Sequence, residues 1–472
     1  MAVKSRLPIA AFRSGILLLL IWLLLFISPF NVFADMSAWV ASETPPEESR
    51  VGAAYLYNLD TGLVLYSKAA DQTIYPTSAV KIMTGLIACQ QLADRTEELV
   101  DITAPMLAGA SGRNMGLVVG EKMKIYDLLM AAVCGSYNDA ACVVAYLSAG
   151  SVDAFVEQMN REAERLGALK TVYKNVTGLH DPAMVTTAAE TALVARAALS
   201  NELFMSLAST HVHTIPATNA SDARTLTNRN ALVSDTGGQY YNGWCRGMNA
   251  GMTDEGGWCV ITVWEKNGAT NLSVVMNAAD VGVGETIPAY SYTNRLLSWA
   301  GRCYGYRTVL TADEVLDTLP VSMTGISKSE TDVLVPDDLK AFLPTHADIS
   351  TQVTLQQHIT GGELTAPLTE GQVVGTVTVT YGGQVVGSSD LVVMEEFERN
   401  GFLDGMKGFK GYLTSRPFLI TVVCFAVTLV LYLRYVTGPG SRYSTRQVYT
   451  PPKRRNKKYR ALRSANTKFR KR

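Results

Sequence analysis

Tyr75-Pro76-Thr77-Ser78-Ala79-Val80-Lys81-Ile82-Met83-Thr84 opens a stretch rich in apolar and helix-forming residues that runs to residue 88. Residues three apart on a helix share a face, so this spacing brings Lys81 within reach of the Ser78 hydroxyl. The hydroxyl then lies near the positive end of the helix dipole. A lysine buried beside it loses proton affinity through desolvation and can accept the serine proton. Ser-x-x-Lys by itself is a common spacing, and its commoner meaning is a capped surface helix.

A second element lies downstream, where Ser136-Tyr137-Asn138 follows an apolar stretch and precedes Asp139-Ala140-Ala141. A second serine can relay a proton to a leaving group, and the Asn138 amide can hold a substrate amide. The simpler alternative is a helix-capping turn. Around these two elements the periodicity defines a domain. Residues 51–68 alternate apolar and polar about the turn Asp60-Thr61-Gly62, which predicts a hairpin. Residues 125–149, 152–166 (ending at Gly167) and 187–199 have helical character. Strand character returns at 244–248, 258–264 and 271–278, with a turn at 253–257. Strands at both ends and helices between them predict an α+β domain, an antiparallel sheet covered by helices.

After Cys303 the composition shifts to Pro and Thr, and Val377, Val379 and Tyr381 alternate with Thr376, Thr378 and Thr380. A small all-β domain is expected over 304–394, with no catalytic cluster of its own. The chain of 472 residues is long enough for two or three folded units at ~100–200 residues each. Its ends carry the signals of export. Lys4, Arg6 and Arg13 precede a Leu/Ile run and Val32-Phe33-Ala34, the layout of a signal peptide over 1–34, an uncleaved anchor being the rival reading. A second apolar run, 417–436, reads as a stop-transfer helix joined to the β domain by a linker over 395–416. The tail, 437–472, holds thirteen Lys or Arg and no acid, which places it in the cytoplasm by the positive-inside rule. The total is 42 bases and 42 acids; without the tail, Arg434 and the three N-terminal bases, 25 bases face 42 acids. The exported part is therefore acidic, at −17, and no nucleic-acid partner is expected for it.

In order along the chain, the stretches already quoted, with Met159-Asn160, Leu166-Gly167, Asn175, Thr177 to Pro182 and Thr227-Asn228-Arg229-Asn230, resemble the low-molecular-mass penicillin-binding proteins, the serine-type D-alanyl-D-alanine carboxypeptidases. The likeness covers roughly residues 48–394 and implies a penicillin-binding/β-lactamase-like transpeptidase fold, a β-rich second domain and a C-terminal anchor. It implies Ser78 as nucleophile, Lys81 as base and Ser136 as proton relay. Asn138, Asn249, Gly251 and Met252 become substrate-binding positions, with the Ser78 and Met252 N–H groups as oxyanion hole. The implied partners are a peptidoglycan stem peptide, β-lactams and the membrane, with no cofactor and no metal.

The sequence departs from the family at its third element. Where the family has Lys-Thr-Gly-x-Thr-Asp-x-x-Gly, this chain reads Asn249-Ala250-Gly251-Met252-Thr253-Asp254-Glu255-Gly256-Gly257. The family's lysine and threonine receive the peptide's terminal carboxylate; Asn249 has no charge and Ala250 no side-chain donor. Loss of a charge-assisted contact of about 1.5–3 kcal/mol would weaken recognition by about one to two decades. Arg246, three residues back, is expected on the opposite face of the strand. The alternative function is a catalytically impaired, peptidoglycan-binding scaffold; a β-lactamase would need a water-activating carboxylate that no motif supplies. His180, His211, His213, His346 and His358 have no ligand constellation in the sequence, the six Trp read as core or membrane-interface residues, and most of the seven Cys as small buried hydrophobes.

Overall fold

The computed structural model describes residues 39, 41–234, 236–282, 284–312, 314–324, 329–401 and 411–437. The expected signal peptide, the tail beyond Thr437 and much of the linker lie outside the described residues.

The hairpin forms as β1 (Val51–Asn58) and β2 (Val64–Lys68), antiparallel. Asn58 holds its turn, accepting from the Thr61 N–H at 2.9 Å and the Thr61 hydroxyl at 2.6 Å. Three later strands, β3 (Cys245–Thr253), β4 (Gly257–Lys266) and β5 (Ala269–Ala278), complete a five-stranded antiparallel sheet in the order β2-β1-β5-β4-β3. That order leaves β3 at an edge, with one side of its backbone unpaired by the sheet. β4 and β5 are apolar along most of their length because both faces are covered, as expected when alternate residues meet two layers.

The helices between the strands form one core with the sheet. α1 (Val80–Leu92) is buried along most of its length and is wrapped by α2 (Ile125–Val133), α3 (Asn138–Ala149), α4 (Val152–Arg165) and α5 (Ala188–Leu199). Ser151 and Thr187 cap α4 and α5 by accepting from the N–H groups of Ala154 and Glu190, both at 3.1 Å. The helical stretch expected over 125–149 is broken in two. Ser136 adopts φ 56°, and the Tyr137 N–H turns back to the Ala131 carbonyl at 3.1 Å. No α-helix continues through such a residue, and the break turns Ser136 out of the helix rows.

A helix not singled out by its sequence, α6 (Pro288–Cys303), packs on β4 and β5. Its Ser, Tyr, Thr and Asn are weak helix formers, yet Ala289, Tyr292, Leu296, Ala300 and Cys303 keep helical spacing and are buried. The C-terminal β domain follows with β6 (Tyr304–Leu310), β7 (Asp317–Ser322), β8 (Glu330–Leu334), β9 (Leu339–Pro344), β10 (Val353–Ile359), β11 (Val373–Tyr381) and β12 (Gln384–Val393). β6 pairs with β9, and the larger, six-stranded sheet runs β10-β11-β12-β8-β7 with the two-residue strand Leu364–Thr365 beside β7. Val377, Val379 and Tyr381 are buried, as their alternation requires. A separate unit contains α7 (Arg416–Thr437), which alone among the described helices is long and apolar enough to cross a membrane. All seven cysteines are free thiols, six of them buried.

Candidate active site

Residues Thr77–Ala79 form a single 3-10 turn, and α1 begins only at Val80. Ser78 therefore stands just before the helix instead of on its first turn. Thr77 has φ 50°, a costly conformation that its surroundings enforce. Gly178, itself at φ +81°, lies so close that a Cβ there would come within 1.9 Å of the Thr77 carbonyl oxygen. Only glycine fits, and the turn that presents Ser78 is held by that contact.

The Ser78 hydroxyl donates to Asn249 Oδ1 at 2.7 Å and lies 3.2 Å from Cys259 Sγ. The Thr77 hydroxyl donates to the same sulfur at 3.0 Å. Lys81 Nζ donates to the Thr177 carbonyl at 2.6 Å and makes no hydrogen bond to Ser78. The two side chains nevertheless line one cleft of about 480 Å³. Lys81 is 5% exposed, and burial above all, with the Arg113 and Arg229 guanidiniums adding to it, pulls its amine from 10.5 down to about 7. Desolvation and like charge both penalise the ammonium form, so a neutral amine becomes available near neutral pH.

The opposite wall is Ser136 and Asn138. The Asn138 Nδ2 donates to the Ser111 carbonyl at 2.6 Å, and its Oδ1 is buried without a partner. A buried acceptor left open in a cleft is a ready site for an incoming N–H. Asp139, next in sequence, faces away and accepts from the N–H groups of Met115 (3.0 Å), Gly116 (2.9 Å) and Leu117 (3.1 Å), anchoring the loop above the cleft.

Edge strand β3 makes the third wall with Ala250, Gly251 and Met252. A Cβ on Gly251 would sit 2.5 Å from Ser78 Oγ, so the bare backbone is what brings the strand against the serine. Asn249 occupies the same side and contacts Ser78 directly, whereas Ala250 is fully buried. Arg246 is absent from the cleft and pairs with Glu265 at 2.9 Å. Simple alternation does not account for this, because a bulge between Arg246 and Met248 interrupts the strand's parity and places Arg246 opposite Val263, two residues along β4 from the Ile261 that faces Asn249.

Several groups in the site are not among the site residues expected from the sequence. Arg113, Thr177, Asp254 and Glu255 line the cleft, and Cys259 reaches Ser78 from β4. Cys259 faces Gly251 across the β3–β4 ladder, a relation readable only once the register is known. His180 also lines the cleft, where it stands edge-on to Tyr75 and 4.0 Å from Glu255. His213, with no carboxylate near it in sequence, meets Asp127 at 2.8 Å through the fold. Among the described residues no group of three His, Cys, Asp or Glu side chains could hold a metal ion.

Residues 40–280 match the D-alanyl-D-alanine carboxypeptidase family and residues 304–399 the C-terminal domain of penicillin-binding protein 5. The chain is similar to D-alanyl-D-alanine carboxypeptidase DacF of Bacillus subtilis, at 25% identity over 84% of this chain and 98% of the relative. It is 28% identical to D-alanyl-D-alanine carboxypeptidase DacC of Escherichia coli over 79% of this chain and 91% of that protein. Among solved structures, a peptidoglycan synthesis regulatory factor (PBP3) from Streptococcus pneumoniae aligns with a TM-score of 0.59 at 21% identity, covering 75% of this chain and all (100%) of that one. Penicillin-binding protein 5 from Haemophilus influenzae aligns with a TM-score of 0.53 at 22% identity, covering 76% and 100%.

Proposed function

Because the chain belongs to the D-alanyl-D-alanine carboxypeptidase family, we propose that it removes the terminal D-alanine from peptidoglycan stem peptides through an acyl-enzyme on Ser78. The observation that supports this most is the depressed Lys81 amine opening into the same cleft as Ser78. In the resting arrangement the Ser78 proton points to Asn249. For reaction the hydroxyl rotates toward Lys81, which takes the proton as Oγ bonds to the carbonyl carbon between the two D-alanines. The Ser78 and Met252 N–H groups receive the oxyanion. Collapse of the tetrahedral species breaks the C–N bond; Ser136 gives its proton to the departing amine and takes the one held by Lys81, which becomes neutral again. Water then adds to the ester carbonyl, giving one proton to Lys81, and collapse of this second tetrahedral species breaks the C–Oγ bond as Lys81 returns that proton to Ser78 Oγ, freeing the shortened peptide.

The open Asn138 Oδ1 suits a substrate N–H, and edge strand β3 suits an extended peptide. β-Lactams would acylate Ser78 as mimics of the same peptide. The C-terminal helix would anchor the enzyme with the cleft outside the cell and the basic tail in the cytoplasm, after a signal peptide has directed export. Mass spectrometry of the purified protein, incubated with a penicillin and separately with a peptide ending in D-Ala-D-Ala, tests the assignment. An adduct on Ser78 together with D-alanine release is expected. A folded protein with neither adduct nor release would leave a peptidoglycan-binding scaffold as the better description.

A further inference from the structure

The third element has lost its cation, but the cleft has not lost positive charge. Arg113 comes from the loop after Ser111 and reaches the wall beside Ser136, where its Nε donates to the Gly135 carbonyl at 3.0 Å. Its guanidinium lies 4.6 Å from the Tyr137 ring centroid. Arg229 enters from a different segment, with its guanidinium 5.3 Å from the ring centroid of Trp258 on β4. Both line the cleft that contains Ser78. Neither has a carboxylate partner among the described residues, whereas the half-buried Arg224 is paired with the buried Glu121 at 2.7 Å. Each Arg thus rests on a ring face with its terminal N–H groups uncommitted.

Two unpaired guanidiniums close enough to influence each other and Lys81 are unfavourable unless an anion completes them. Burial and then the proximity of Arg229 depress even the Arg113 guanidinium, a cost that no carboxylate among the described residues offsets. An aromatic face keeps a guanidinium planar and leaves its outward edge free, the edge that receives a carboxylate through two parallel hydrogen bonds. Asn249 and Ala250 offer a carboxylate no charge, so apart from Lys81 the positive charge that lines this cleft is that of Arg113 and Arg229.

We infer that Arg113, supported by Arg229, receives the terminal carboxylate of the peptide in place of the missing strand lysine. This rests on the carboxypeptidase reading and makes Arg113 a specificity-determining residue. The choice of a free C-terminal acid over a neutral terminus is then made by an arginine from the Ser136 side of the cleft. An arginine fork also fixes the carboxylate plane, which a single ammonium does not.

The test is direct binding to the full-length protein in detergent, carrying Ser78→Ala so that no ligand is consumed. Calorimetry compares a peptide ending in D-Ala-D-Ala with the same peptide as its C-terminal amide. The acid is expected to bind tighter by about one to two decades, the span of a charge-assisted contact. Arg113→Gln should erase most of that preference by weakening the acid alone, Arg229→Gln a smaller part, and Arg113→Lys should retain a part of it. Because the amide serves as internal reference, a general loss of folding would weaken both ligands equally and is separated from loss of the carboxylate contact. An acid preference that survives unchanged in Arg113→Gln and Arg229→Gln together overturns the inference, as does a parent protein that binds acid and amide alike. Failure of the carboxypeptidase reading is seen elsewhere, as absent D-alanine release by protein with Ser78 intact.

Discussion

If Lys81 is the base for Ser78, the rate of acylation must follow the titration of a lysine at about 7. An amine with the usual lysine value of 10.5 is unprotonated at pH 7 in only about one molecule in three thousand, whereas one at about 7 is half unprotonated. Burial of Lys81 thus raises the population of the working base by about three decades. The assay is the second-order rate of labelling by a fluorescent penicillin, measured on the full-length protein in detergent from roughly pH 5 to pH 9. Below the midpoint the rate should fall about tenfold per pH unit, and above roughly pH 8 it should level off. Arg113→Gln removes a neighbouring positive charge that holds the amine down, so it should move the midpoint upward. A rate that is flat across the whole range, or a midpoint above roughly pH 9, would refute Lys81 as the base. Stability carries the same signature. Between pH 7 and 10.5 the unfolded chain holds a proton that folded Lys81 lacks, so stability rises with pH through that window and is lowest below it. Lys81→Met, which removes the buried charge and keeps the volume, should then raise the melting temperature below pH 7 by about 2–4 °C per kcal/mol relieved, while abolishing acylation.

Gly251→Ala should leave the fold melting within a few degrees of the parent, because β3 is an edge strand. It should cut penicillin labelling by at least about a hundredfold, since its Cβ would fall 2.5 Å from Ser78 Oγ. Asn249→Lys with Ala250→Thr should raise kcat/KM for D-alanine release by less than about one decade, because Arg113 and Arg229 already supply the charge that such a contact would add. A gain of about one to two decades in steady-state kinetics would mean that the strand position, and not the arginines, is the place for the carboxylate. Glu121 is completely buried and pairs with Arg224 at 2.7 Å while accepting from Thr218 at 2.9 Å. Glu121→Ala should therefore cost about 3–5 kcal/mol in thermal or denaturant unfolding, with the chemistry of the cleft affected only through the fold.

The sequence by itself determined much of the scaffold, because its information is periodic and local. The alternation of residues 51–68 and the helical spacing of residues 152–166 specify which side of each element is apolar, and the hairpin and α4 follow. The Ser-x-x-Lys and Ser-x-Asn elements, with the ordered stretches around them, point to one cleft, and Ser78, Lys81, Ser136 and Asn138 line it together. The loss of Lys-Thr from the third element was equally legible. Tertiary structure alone decided the rest. Helix α6 was hidden because weak helix formers are held by a sheet face that no local pattern reveals. Splitting of the 125–149 stretch depends on the strained Ser136, whose φ 56° is sustained by packing. Cys259 meets Ser78 through strand register, and His213 meets Asp127 across 86 positions of chain. Arg113 and Arg229 converge on the cleft from segments more than a hundred residues apart, which spacing cannot encode. A side chain's electrostatic surroundings are set by what folds against it, so the sequence could show that a charge was missing from the strand. Only the packed structure shows where positive charge remains.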